Sequence, residues 1–197
     1  MTIAAGASAG GLAVLLSQAG AVLSGRTPTL RIAWLPTLGL DFSLWLDPLA
    51  LLFAGLILGI GLLVVVYAQG YLAKSEPTAR FLSFLMLFQG AMVGIALSSN
   101  ILLMLVFWEM TSLASFLLIG FWRDRAEARQ GARMALTITG GGGLALIAGL
   151  VLLGKAAGSY DLVTILSRAE LIQASPLYPA ILILILAGAF TKSAQFP

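Results

Sequence analysis

From Ile101 to Phe121 the chain runs through apolar residues broken by one charge, Glu109. It holds several other stretches of about twenty apolar residues, the length an α-helix needs to cross a hydrocarbon layer about 30 Å thick. Such stretches leave few folds open, because backbone polar groups in lipid must be satisfied within the segment or in a closed barrel. The chain is therefore expected to be an all-α integral membrane protein. Of its 197 residues 60% are hydrophobic and 10% charged, and the mean hydropathy is +1.03, outside the range of soluble domains.

Six spans emerge. The first, about Ile3 to Leu23, reads as a helix rather than a cleaved signal peptide, because no basic region precedes it. The second runs from about Leu44 to Leu72, with Asp47 and Pro48 at its start. The third, about Arg80 to Ser98, and the fourth, about Asn100 to Trp122, are separated by so little chain that they must form a tight antiparallel hairpin. The fifth runs from about Gln130 to Leu153. The sixth opens near Pro179 and is still running at Pro197, so the chain is expected to be a fragment. No repeat or linker divides it, and residues 1–197 are read as a single transmembrane domain.

Between the first two spans, Arg31 to Leu46 alternates in part and carries turn signals at Pro36 and Gly39, which predicts a short outer hairpin. A short interfacial helix is expected over Leu162 to Gln173, with Asp161 as its cap. Lys74, Arg80, Arg123, Arg125, Arg129 and Arg133 fall on one side of the spans, against Arg26, Arg31, Lys155 and Arg168 on the other. This bias places the Arg123 loop and Met1 in the cytoplasm, for a multi-pass protein of the cell (inner) membrane. The net charge of +3 is accounted for by topology rather than by nucleic acid. Trp34, Trp45 and Trp122 read as interfacial anchors.

With no Cys and no His, thiol chemistry, haem and iron-sulfur ligation and His-based metal or proton sites are excluded, and no cofactor is expected. What remains is charge inside the membrane. Such charges are costly and usually functional, and the two candidates are Glu109 and Lys192. Glu109 lies roughly 12 Å below the start of its span and Lys192 about 20 Å along the sixth, so an ion pair at similar depth is geometrically possible. A buried carboxyl beside a cation can gain and lose a proton near neutral pH. A static polar bridge between helices is the competing reading. Trp108, Thr111, Ser112 and Ser115 surround Glu109 in sequence, and Ser112, three residues on, offers a hydroxyl on its face. Pro197, five positions after Lys192, should kink or break the helix just beyond the lysine. Thr137 and Thr139 add hydroxyls beside the run Gly140 to Gly143, which reads first as a place for close helix packing. Gln89 and Asn100 read as packing and hairpin groups.

FWEMTSLASFLLIGFW (Phe107 to Trp122) and GAFTKSAQFP (Gly188 to Pro197) resemble the two signature helices of the antiporter-like subunits shared by Mrp-type sodium/proton antiporters and respiratory NADH:quinone oxidoreductase. The stretches Trp34 to Leu72 and Gln89 to Glu109 are similar to the large A subunits of the Mrp group. The resemblance implies that Glu109 and Lys192 form the charge pair of proton translocation. It also implies a transporter subunit rather than an enzyme, exchanging Na+ for H+ in the bilayer beside other antiporter subunits. Family members begin with one more helix and continue well beyond Pro197. Oxidoreductase relatives often carry an acid where this chain has glycines and hydroxyls near Gly140, which favours the Mrp group. The alternatives are a proton-pumping subunit of a redox-driven complex, and a membrane scaffold in which the two charges are a fixed pair.

Overall fold

A computed structural model describes residues 1–73 and 76–195. Among these residues five helices are long and apolar enough to cross a membrane: α1 (Thr2–Leu23), α2 (Pro48–Tyr71), α3 (Thr78–Leu97), α4 (Ile101–Ile119) and α5 (Ala126–Ala157). Three shorter helices follow, α6 (Leu162–Ser167), α7 (Ala169–Gln173) and α8 (Tyr178–Lys192). Between α1 and α2 stands the expected hairpin, in which β1 (Thr29–Leu35) pairs antiparallel with β2 (Leu40–Trp45). A 3-10 turn at Pro36–Leu38 joins the strands, and Gly39 supplies the left-handed residue that closes it, at φ 69°.

Local chemistry fixes the helix starts. Asp47 caps α2 by accepting from the Ala50 N–H at 2.7 Å, with Pro48 in the first turn. Asn100 caps α4, its carbonyl accepting from the N–H groups of Leu102 and Leu103 at 2.9 and 3.2 Å. Asp161 caps α6. The single helix expected over Leu162 to Gln173 is interrupted at Arg168, which closes α6, opens α7, and donates from its guanidinium to the Ala157 carbonyl at 2.6 Å.

The sixth span differs from expectation. At fifteen residues α8 is about 22 Å long, short of a full crossing. It ends at Lys192, where Ser193 caps it and Ala194 adopts φ 53°. The helix thus stops just beyond the lysine, where a break was expected, while Pro197, to which that break was assigned, lies outside the described residues.

Each long helix packs on the next, α1 on α2, α2 on α3, α3 on α4 and α4 on α5, and α8 then lies along α5. At one end the turn Ser98 to Asn100 is sealed on every side. Ser99 donates to Ser43 of the hairpin (3.0 Å) and accepts from Leu162 (2.7 Å), while Ile101 donates to Tyr160 (2.9 Å) and the Asn100 amide to Gly39 (2.8 Å). At the opposite end the Arg80 guanidinium lies over the Phe121 ring and donates to its carbonyl at 3.0 Å, satisfying an acceptor just past α4. Trp122 donates there to Glu76 at 3.0 Å. Leu63 and Leu144 stand about two-thirds exposed, as expected of surfaces that meet lipid.

Gln89 acts as a structural group. Its amide accepts from Ser8 of α1 at 2.9 Å and lies against Gly61 of α2, joining three helices through one buried side chain.

Candidate intramembrane charge site

Glu109 and Lys192 come together at one level of the bundle, where α4, α5 and α8 meet. The lysine closes the last turn of α8 and reaches across to α4. Its ammonium donates to Thr111 Oγ1 at 2.8 Å and to Ser112 Oγ at 3.0 Å, and lies 5.5 Å from the centre of the Trp108 ring. Residues 108, 111 and 112 form one helix face by their i, i+3, i+4 spacing, so a single turn of α4 supplies all three contacts.

The carboxylate looks elsewhere. Glu109 is offset from Trp108 by one residue, about a quarter turn of the helix, and points toward α5. Its Oε1 lies in the space that a Cβ on Gly143 would fill, and this oxygen is buried without a hydrogen-bond partner among the described residues. Among those residues the one ion pair formed is Arg31 with Asp41, in the hairpin. Glu109 and Lys192 are neighbours that do not touch.

The glycine run shapes this site. A Cβ on Gly142 would collide with Thr191 of α8, and one on Gly143 with Glu109, whereas Gly140 and Gly141 face open space. Gly188 of α8 completes the fit, since a Cβ there would meet Leu146 at 2.6 Å and the Gly142 carbonyl at 2.9 Å. Two helices thus approach backbone to backbone just beside the charges, as small residues allow in a membrane.

Of the supporting residues singled out in the sequence, Ser112 is in the site but serves the lysine, not the carboxylate. Thr137 and Thr139 stay outside it: both donate to their own helix, to Arg133 and Ala135 at 2.9 and 2.7 Å, as threonines in helices commonly do. Pro197 lies outside the described residues. Thr111, which the sequence marks only as a neighbour of Glu109, is fully buried and holds the lysine, and Gly143 does more than pack. The face shared by Trp108, Thr111 and Ser112 was the signal available for the first. Nothing local marked the second, since its role depends on a residue thirty-four positions earlier.

Residues 98–197, which contain this whole site, match the family described as NADH:quinone oxidoreductase/Mrp antiporter, TM. The chain belongs to this family. Residues 34–82 also match the family described as NADH-ubiquinone oxidoreductase (complex I), chain 5 N-terminus. A probable K(+)/H(+) antiporter A/B subunit of Rhizobium meliloti is 52% identical over 176 residues, which is 89% of this chain and 18% of that protein. The A1 subunit of a Na(+)/H(+) antiporter of Staphylococcus aureus is 49% identical over 175 residues, 89% of this chain and 22% of that protein. The chain therefore spans about a fifth of the length of the curated relatives it matches. Among solved structures, the Mrp complex from Dietzia sp. DQ12-45-1b contains a chain that matches with TM-score 0.81 and 30% identity, over 100% of this chain and 24% of that one. The archaeal membrane-bound sulfane sulfur reductase shares the fold, with TM-score 0.72 and 19% identity over 95% of this chain and 29% of the other. With its five spanning helices, this member of the family is a multi-pass membrane protein of the A-subunit type.

Proposed function

We propose that the chain is part of an antiporter subunit that exchanges monovalent cations, Na+ among them, for protons, and that it works in the membrane beside other subunits of an antiporter complex. Glu109 is the protonatable relay group and Lys192 its charged partner. The observation that carries this reading is that α8 brings the Lys192 ammonium onto Ser112, three residues from Glu109 on α4, so that an acid and an amine stand at one level of two helices without touching. The names of the relatives, K(+)/H(+) and Na(+)/H(+) antiporter subunits, support the exchange of cations for protons.

The chemistry follows from the geometry. A proton on Glu109 removes its charge and with it the attraction for Lys192; its loss restores both. The two groups therefore titrate as a coupled unit, and the protonation of one sets the position of the other. Lys192→Arg in the full-length subunit, assembled in its complex and reconstituted in vesicles, tests the proton-carrying part. Arginine keeps the positive charge but does not release a proton. Cation-driven proton flux is expected to fall to background with assembly intact; wild-type flux would overturn the role of Lys192.

A further inference from the structure

Lys192 rests on hydroxyls while Glu109 Oε1, on the next face of the same helix, has no hydrogen-bond partner among the described residues. We propose that Thr111 is a positioning residue, which with Ser112 forms a hydroxyl seat holding the Lys192 ammonium away from Glu109, so that the lysine has an uncharged resting place between encounters with the acid. This inference rests on the reading of Glu109 and Lys192 as the proton-carrying pair.

Thr111 is fully buried and Ser112 nearly so, and both sit on the face that meets α8. The Thr111 hydroxyl donates its one hydrogen to the Trp108 carbonyl at 2.7 Å, and Ser112 points to the same carbonyl at 3.4 Å. With the hydrogen committed, the oxygen of Thr111 is turned as an acceptor toward the ammonium before the lysine arrives. A threonine bonded to its own helix is common and by itself says nothing. Here the same oxygen is also the shorter of the two bonds of a lysine in the membrane, and the Trp108 ring lies beside the ammonium as a further neutral attraction.

The field around the seat is simple. Glu109 is the one titratable group of α4, the middle of α5 from Met134 to Gly154 holds none, and α8 adds Tyr178 at its far end. A hydroxyl acceptor stabilises the ammonium less than a carboxylate does, which suits a seat that must be left again. Its loss removes support for the charged lysine alone, and so changes the pH at which the lysine gives up its proton.

The test compares Thr111→Val, Thr111→Ser and Ser112→Ala in the full-length subunit, within its complex and reconstituted in vesicles, by cation-driven proton flux across a pH series. Valine copies the shape of threonine without the oxygen. With normal assembly, Thr111→Val is expected to lower exchange roughly tenfold and to move the alkaline limb of the profile down by about one pH unit, the effect of one hydrogen bond to a charged group. Thr111→Ser is expected to recover both rate and limb, and Ser112→Ala to move the limb the same way by less. A wild-type profile in Thr111→Val would overturn the seat, as would a serine variant no better than valine. Where the valine variant does not assemble, an unshifted limb in Ser112→Ala overturns it. Glu109→Gln and Lys192→Ala in the same preparation separate the two levels. If they keep exchange, the charge-pair reading fails and the seat with it; if they lose exchange while Thr111→Val matches wild type, the seat alone fails.

Discussion

The carboxylate of Glu109 occupies the space where Gly143 has no side chain. An acid of α4 can therefore sit against the backbone of α5, and the missing Cβ becomes part of the site. Gly143→Ala should push the carboxylate out of this notch. Overpacking of this kind costs about 1–3 kcal/mol, partly offset by the roughly 1 kcal/mol that alanine gains over glycine inside a helix. Exchange is expected to fall far more than thermal stability. Gly140→Ala and Gly141→Ala, which meet nothing within 4 Å, are expected to leave exchange unchanged and stability equal or slightly raised. Melting of the assembled complex and flux in vesicles, measured on the three variants side by side, check the contrast.

Gly188 makes the matching demand from α8. Its hydrogen faces Leu146 and the Gly142 carbonyl, with no room for a methyl group. Gly188→Ala should part α8 from α5 and shift Lys192 relative to α4, at a cost of about 1–3 kcal/mol. A cysteine pair placed across α5 and α8 near this level should cross-link less readily in the variant than in its absence.

At the hairpin end, Asn100 holds two structures at once. Its carbonyl caps α4 and its amide donates to Gly39 at 2.8 Å. Asn100→Ala should destabilise the protein by about 1–2 kcal/mol, while Asn100→Asp should recover the cap and lose the tie to Gly39. Thermal melts separate the two, with aspartate expected between alanine and the native residue.

Much of this was legible from the sequence because the membrane permits so few solutions. Hydropathy marked the five long helices, and Asp47 and Asp161 marked starts by the same capping chemistry that the structure uses, whereas Asn100, read as a packing and hairpin group, proves to cap α4. The hairpin followed from alternation around Pro36 and Gly39. Depth arithmetic brought Glu109 and Lys192 to similar depth, within several ångströms that a lysine stem can largely cover. It could not decide what each touches, since that depends on rotation of α4 about its axis and on which helix supplies the neighbouring wall. Thus Ser112 was assigned to the acid when it serves the amine, and Gly143 was read without its partner. The end of α8 at Lys192 falls where a break just beyond the lysine was expected, but the means differs: the turn at Ser193 and Ala194 is a matter of backbone conformation that composition does not mark.

Glu109 carries the central claim, and Glu109→Gln tests it most directly. Glutamine keeps the size and the hydrogen-bonding oxygen and removes the exchangeable charge. In vesicles holding the complete complex, an imposed cation gradient should drive proton flux with the native subunit and none above background with Glu109→Gln, at equal amounts of assembled complex. Flux at the native rate with glutamine in place would contradict the claim that Glu109 carries the proton.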